Sequence, residues 1–273
     1  MTPAAPTLSH LGVVPQDHAS YTPAEHSVWR TLYQRQMELL PRLACTEFAD
    51  GLQRLPLSSQ GIPNFDELSE VLHAATGWRV VAVPGLLPDD VFFTHLAHRR
   101  FPAGRFIRSP QQLDYLQEPD VFHDVFGHVP MLMNPVMADF MQQYGEGGLR
   151  AQHLGHLHHL ARVYWYTVEF GLVRQGSECR LYGAGIASSF AESTYSLHSP
   201  KPQRLRFQLQ RVMRTAYRID DVQACYFVLD RFSDLLALAT TDFAPLYQAL
   251  ATTADLQPTD TLPTDHAWPP NPA

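Results

Sequence analysis

The sequence predicts a single, mainly α-helical domain with a few short β-strands, and three observations carry that expectation. Apolar residues recur at helical intervals over most of the chain, β-branched runs are short and scattered, and no repeat, heptad seam or linker separates two cores. A chain of 273 residues can bury a large core. Its 45% hydrophobic and 17% charged residues are those of an ordinary globular protein.

Taken in order, residues 1–22 are polar, interrupted by proline and without periodicity, and are expected to form a partly ordered tail. The domain is expected over residues 23–251. From Pro23 the segment AEHSVWRTLYQRQMELL has helical spacing, perturbed or ended at Pro41, and a second helical piece runs to about Leu55. Asn64 is placed to cap FDELSEVLHAAT, with Gly77 just past its end. Trp78 to Val83 reads as a strand. Pro84, Gly85 and Pro88 then turn the chain, and Pro88 opens the helix PDDVFFTHLAHR. Arg105 to Arg108 reads as a second short strand.

A short helix is expected from Asn134 to Gln143, broken by Gly145, Gly147 and Gly148. HLGHLHHLARVYWYTVEFGLVRQG then gives one long helix ending near Gly176, with His153, His156, His158 and His159 on a solvated face. Arg180 to Gly185 reads as a strand and turn, and Ser188 as an N-cap to the next helix. Arg204 to Tyr217 reads as a helix with an exposed arginine face, Cys225 to Leu229 as a strand, and Phe232 to Ala251 as one or two helices. Residues 252–273 are polar and Pro-rich, and the expectation is a disordered tail.

The net charge of -7 and the lack of a basic run argue against nucleic-acid or anionic-membrane partners and for a small-molecule substrate. Three cysteines without C-x-x-C spacing leave an odd count, which argues against a disulfide framework. With no signal-peptide pattern and no apolar run near the length of a membrane span, a cytoplasmic location is expected.

Chemistry points first to LDYLQEPDVFHDVFGHVP, Leu113 to Pro130. His123 and His128 stand among Phe122, Val125, Phe126 and Val129, with Glu118, Asp120 and Asp124 nearby. Buried imidazoles need partners, and a metal ion is one. On a regular helix, side chains five apart diverge by about 140°. The expectation is therefore one histidine in a last helical turn and the other just past it, with Gly127 as the break and Pro119 as the first helical residue. Two core histidines satisfied by carbonyls fit this pair equally well.

A third ligand candidate changes that balance. Val163 to Val173, VYWYTVEFGLV, is apolar and aromatic except for Glu169, and an ionised glutamate is rarely buried without a partner. Arg162 or Arg174 would be an ordinary partner. Two imidazoles and a carboxylate with open positions instead form either the facial triad of a non-haem Fe(II) oxygenase or the site of a catalytic zinc enzyme, with Glu118 or Asp124 as general base. Spacing leaves both open.

EPDVFHDVFGHVP, then YWYTVEFGL, then YGAGIASSFAE, in this order and spacing, resemble the catalytic core of the pterin-dependent aromatic amino acid hydroxylases, over roughly Trp78 to Phe232. The resemblance implies a basket of helices around a mononuclear iron site, with Fe(II) on His123, His128 and Glu169. It also implies a tetrahydropterin cofactor (tetrahydrobiopterin or a related pterin), dioxygen as co-substrate, and hydroxylation of an aromatic amino acid. By the same likeness Arg108 takes the substrate carboxylate and Asp120 positions it, while Trp165, Phe170, Gly185 and Ser188, with His123, wall the substrate ring. Gly85, Leu87 and Phe92, with Asp124, Ala161 and Tyr164, match the pterin contacts. Asp124 stands where animal relatives carry glutamate, and Leu116 and Gln117 where they carry a Thr-Pro pair. Ile219, at a position acidic in tyrosine-specific relatives, favours L-phenylalanine as substrate, and Trp165 weakens tryptophan hydroxylation as the alternative. The chain has no room for the regulatory domain and tetramerisation helix of the animal members, so a monomer is expected.

Overall fold

The computed structural model describes residues 11–114, 116 and 118–269; Gln117 and the outer ends of both expected tails lie outside the described residues. Helix α1 (Pro23–Leu43) opens with a capping box in which Thr22 and Glu25 satisfy each other's amides. It runs on through Pro41, and only Arg42 and Leu43 follow before the helix ends. Helix α2 (Thr46–Arg54) follows. Helix α3 (Phe65–Thr76) is capped by Asn64 and stopped by Gly77 at φ 79°, as its sequence signals require.

Strand β1 (Arg79–Val83) and strand β2 (Arg100–Gly104) pair in parallel across helix α4 (Asp89–Ala97). The second strand thus precedes the expected Arg105 to Arg108. Arg99, in the left-handed region at φ 52°, reverses the chain as soon as α4 ends, so pairing starts at Arg100 and β1 has run out by Arg105.

After a π-helical stretch, Phe122–His128, and the short α5 (Val129–Leu132), helix α6 (Pro135–His153) runs straight through the three glycines expected to break it. The glycines serve close packing instead. A Cβ on Gly145 would overlap the Ala97 backbone, and one on Gly148 the Phe93 ring, so the absent side chains let α4 lie on α6. Gly147 faces the other way, with nothing nearer than 3.8 Å. Gly148→Ala is therefore expected to destabilise the fold by about 1–3 kcal/mol, and Gly147→Ala to stabilise it by up to about 1 kcal/mol through helix propensity. Urea midpoints of the two variants should move in opposite directions.

The expected long helix is also divided. Helix α7 (Leu157–Tyr164) continues into a π-helical stretch, Trp165–Glu169, and the chain then becomes strand β3 (Leu172–Gln175). Leu172 and Val173 are buried and pair on both sides, with β4 (Glu178–Leu181) and with β6 (Cys225–Leu229), so the sheet takes residues that a local apolar run assigns to helix. Helix α8 (Ala184–Ala187) ends at Ser188, and the cap of α9 (Phe190–His198) is Ser189, one residue later than expected. The expected Arg204 to Tyr217 helix is strand β5 (Gln203–Arg206) followed by α10 (Leu209–Arg214). Helices α11 (Asp234–Ala239) and α12 (Ala244–Leu250) complete the domain, and the sheet order is β4-β3-β6-β5.

Two surface expectations also fail. Arg211 is buried and ion-paired with Asp265 at 3.0 Å. His159 is buried, and His156 stacks on Tyr247 at 5.0 Å, so the histidine cluster is only partly solvated. Tyr247 of α12 covers the histidines, and Arg211 is covered by residues 252–269, which are docked rather than disordered. Arg206 and Arg204 pair through their backbones with His266 and Trp268, and Leu256 pairs with Arg214 and Ala216. Asp255 binds Arg162 at 2.6 Å. A polar, Pro-rich stretch buries little apolar surface, but it answers backbone groups and arginines that would otherwise lack partners. Asp265→Ala leaves the Arg211 charge buried and alone, at an expected cost of about 3–5 kcal/mol. Removing the exposed Arg35–Asp114 pair by Asp114→Ala should cost under about 1 kcal/mol in the same denaturation measurement.

The core runs directly under the first π-helical stretch. Phe122 and Phe126 stack at 4.7 Å, and Trp29 meets Phe122 edge-on at 5.2 Å, which anchors the stretch's inner face to α1.

Candidate active site

Both histidines lie inside the π-helical stretch, not one within a helix and one beyond it. In a π-helix the hydrogen bonds run from i to i+5, which brings residues five apart onto one face. The Nε2 atoms of His123 and His128 accordingly lie 3.3 Å apart. Gly127 does not end the stretch, which continues into α5. A Cβ there would sit 2.9 Å from the Ala184 carbonyl, so glycine allows α8 to close on the site. Pro119 lies before the first helical residue, and Asp120 accepts the His123 amide hydrogen at 3.0 Å.

Glu169 ends the second π-helical stretch. Its carboxylate oxygens lie 3.1 Å from His128 Nε2 and 3.6 Å from His123 Nε2. Among the described residues this is the one group of three or more candidate metal ligands. Bonds of about 2.0–2.2 Å from nitrogen and carboxylate donors to one ion, at right angles, set neighbouring donors about 3 Å apart, so these distances fit a facial triad.

The tautomer fits as well. The Ser188 hydroxyl donates to the Ala184 carbonyl at 2.8 Å, so towards His123 Nδ1, at 2.9 Å, its oxygen accepts. His123 therefore carries its proton on Nδ1 and presents a bare lone pair at Nε2. Burial lowers the His123 pKa to about 4, which keeps the ring neutral at physiological pH. Burial alone would raise that of Glu169, but the imidazoles of His128 and His123 outweigh it and hold the carboxyl below its ordinary value. Lone pairs and a carboxylate crowded in a largely water-free place repel one another unless a cation lies between them.

Around this centre the expected residues are placed as follows. Arg108 and Asp120 form a buried two-bond fork, Nε to Oδ2 at 2.8 Å and Nη2 to Oδ1 at 2.9 Å, and the Arg108 amide also donates to Asp120. Among the described residues Nη1 of Arg108 makes no hydrogen bond. Trp165 and Phe170 pack together at 4.7 Å, Phe170 lies against Gly185, and Ser188 touches His123.

On the other side Phe92 meets Tyr164 edge-on at 6.1 Å, and Tyr164 lies nearly parallel to His128 at 6.3 Å. Ala161 is half-buried one turn earlier on α7. Gly85 and Leu87 sit on the loop after β1, Gly85 beside the Glu118 carboxylate and Leu87 against Gly12. Asp124 is buried and accepts the Gly104 amide hydrogen at 2.7 Å, and burial raises its pKa to about 7. Two residues at the site escaped sequence reasoning. Tyr217 stacks on Trp165 at 4.2 Å, and Gln223 accepts its indole hydrogen at 2.9 Å. Neither stands in a local pattern that marks it; only the tertiary fold brings them there.

Comparison with known proteins gives the same picture. Residues 10–247 match the family described as biopterin-dependent aromatic amino acid hydroxylase. A phenylalanine-4-hydroxylase of Ralstonia nicotianae is 60% identical over 85% of this chain and 74% of its own. One of Caulobacter vibrioides is 57% identical over 92% and 86%. The structure of Chromobacterium violaceum phenylalanine hydroxylase with iron and phenylalanine bound superposes with a TM-score of 0.90 at 52% identity, covering 94% of this chain and 93% of that one. The same enzyme with iron(III) and oxidised 7,8-dihydrobiopterin also gives 0.90, at 54% identity and the same coverage. Site geometry, family match and fold agree, and the chain belongs to the biopterin-dependent aromatic amino acid hydroxylases.

Proposed function

We propose that this chain is an Fe(II)- and tetrahydropterin-dependent phenylalanine 4-monooxygenase, converting L-phenylalanine to L-tyrosine with dioxygen. The observation that carries the reading is the convergence of His123, His128 and Glu169, within 4.8 Å of one another, beside a buried arginine fork. Relatives named phenylalanine-4-hydroxylase at 56–60% identity support the substrate. The two bound forms of the Chromobacterium violaceum enzyme support the metal and the pterin.

In this reading His123, His128 and Glu169 would hold the iron. Iron and reduced pterin, when bound, supply the reductive activation of dioxygen, one oxygen atom going to the ring and one to the pterin. The remaining residues bind and orient. Ser188 fixes the His123 tautomer. Arg108 presents Nη1 to the substrate carboxylate while Asp120 holds its other nitrogens, and Trp165, Phe170, Gly185 and Ser188 flank the ring. Phe92 and Tyr164 offer aromatic surface to the flat pterin, next to Gly85, Leu87, Asp124 and Ala161. Positioning and exclusion of water are the protein's main contributions.

The test is anaerobic loading with Fe(II), then air, tetrahydropterin and an equimolar mixture of phenylalanine and tryptophan. Tyrosine as the main product, dependent on both iron and pterin, is expected. No hydroxylated product from iron-loaded protein with pterin would overturn this reading, and hydroxytryptophan as the main product would move the substrate.

We also infer a cytoplasmic monomer. No helix among the described residues is long and apolar enough to cross a membrane. Among the described residues Leu154 and Leu236 line one cleft beside α6 and α11, whereas the exposed Leu86 and Phe190 stand on other elements. A stable tetramer on sizing with light scattering would refute the monomer.

A further inference from the structure

The segment from Tyr217 to Gln223 closes over Trp165, and its attachment is unusual. Beyond Tyr217 its apolar side chains do not anchor it, since Ile219 is 60% exposed and Val222 39%. Its Arg218–Asp220 ion pair is exposed and holds little. At its far end the anchor is one buried amide. Gln223 is 4% exposed, and both ends of its side chain are committed. Nε2 donates to the carbonyls of Arg218 at 3.0 Å and Asp221 at 3.2 Å, and Oε1 accepts from Trp165 Nε1 at 2.9 Å. This orientation is forced: an indole nitrogen only donates and a carbonyl only accepts, so neither end of the amide can be exchanged.

The Gln223 main chain is fixed in turn. Its amide donates to the buried Glu192 carboxylate on α9, which also accepts from the Tyr226 hydroxyl. At the other end of the segment, Tyr217 stacks on Trp165 at 4.2 Å and 15°, just after the backbone pairing of Arg214 and Ala216 with Leu256. The indole is thus clamped edge-on by an amide and face-on by a phenol, both from one segment.

We propose that Gln223 is a positioning residue for the substrate ring: by fixing the plane of the Trp165 indole and the segment that covers it, it sets the width of the aromatic slot and the preference for a phenyl over an indole substrate. The proposal rests on the functional reading above. Methionine at 223 keeps the volume and loses both ends of the clamp. A buried indole N–H and two loop carbonyls then lack partners, and a looser slot binds ground state and transition state alike less well.

A double-mutant cycle tests it. In iron-loaded protein, Gln223→Met is expected to raise the phenylalanine KM and calorimetric Kd about tenfold, to change kcat less than about threefold, and to lower the phenylalanine-over-tryptophan ratio of kcat/KM by about tenfold. In a Trp165→Phe background the same substitution should change the Kd less than about threefold. The indole N–H NMR signal missing from Trp165→Phe identifies Trp165; in Gln223→Met it should shift and exchange faster with solvent, a readout that needs neither metal nor substrate. Equal penalties in both backgrounds, or an unmoved indole signal, overturn the role of Gln223. If Gln223→Met does not fold, Trp165→Phe removes the same bond from the other side, and unchanged substrate preference there overturns it equally. Wild-type protein that binds no phenylalanine overturns the functional reading itself, and this proposal with it.

Discussion

Glu169→Ala is expected to abolish stoichiometric iron binding and to lower turnover at least about a thousandfold, some 4 kcal/mol of lost transition-state stabilisation. Two imidazoles alone make a weak divalent site, and the carboxylate is the only anion 3.1–3.6 Å from their Nε2 atoms among the described residues. The fold should survive, because the variant removes a charge held in a poorly solvated place rather than stranding one. Ser188→Ala gives the graded control. It keeps all three donors and removes only the oxygen that holds the His123 proton on Nδ1, so iron affinity should fall by about 10–100-fold, the usual range for an outer partner of a metal-ligating histidine. Iron content by elemental analysis and unfolding by circular dichroism separate these effects. Full iron occupancy and turnover in Glu169→Ala would remove the basis of the site.

Arg108→Ala is expected to act on binding and on stability together. Loss of the guanidinium should raise the phenylalanine KM by about a hundredfold, as expected when a charge-assisted contact is truncated. Asp120, fully buried, would be left with a charge and no cation, at a cost of about 3–5 kcal/mol. The pH dependence identifies the cause. In the intact protein burial opposes ionisation of Asp120, but the Arg108 guanidinium and the amides of His123 and Arg108 outweigh it and hold the carboxyl below its ordinary value. Because the folded value is the lower one, this stabilisation is complete above the unfolded value of about 3.9 and is lost as pH falls through the folded value. In Arg108→Ala the carboxyl loses its cation, so the penalty should be largest at neutral pH and should shrink as acid neutralises Asp120. Arg108→Lys should recover charge but not the fork, and so only part of the substrate affinity. A penalty independent of pH would mean that the pair does not act through the Asp120 charge.

What could be read from the sequence followed the range of each interaction. Asn64 and Gly77 mark helix ends through contacts a few residues long, and the structure uses both. The two histidines and Glu169 were visible because polar groups in apolar runs are costly. Their winding was not, since an ordinary helix sends His123 and His128 apart and nothing local announces a π-helix. Gly145 and Gly148 look like breakers until α4 is laid against them, and Leu172 and Val173 look helical until two strands flank them. Arg108 and Asp120 came from family likeness alone. Gln223 and the docked residues 252–269 came from neither source, because the partners of the one, Trp165, and of the other, Arg162 and Arg211, are 49 to 93 residues away.

A crystal structure of the Fe(II)-loaded protein, with anomalous data on both sides of the iron absorption edge, asks the central question most directly. One strong iron peak is expected, about 2.0–2.2 Å from Nε2 of His123, Nε2 of His128 and a carboxylate oxygen of Glu169. A peak bonded elsewhere, or one that the Glu169 carboxylate does not reach, would contradict the account.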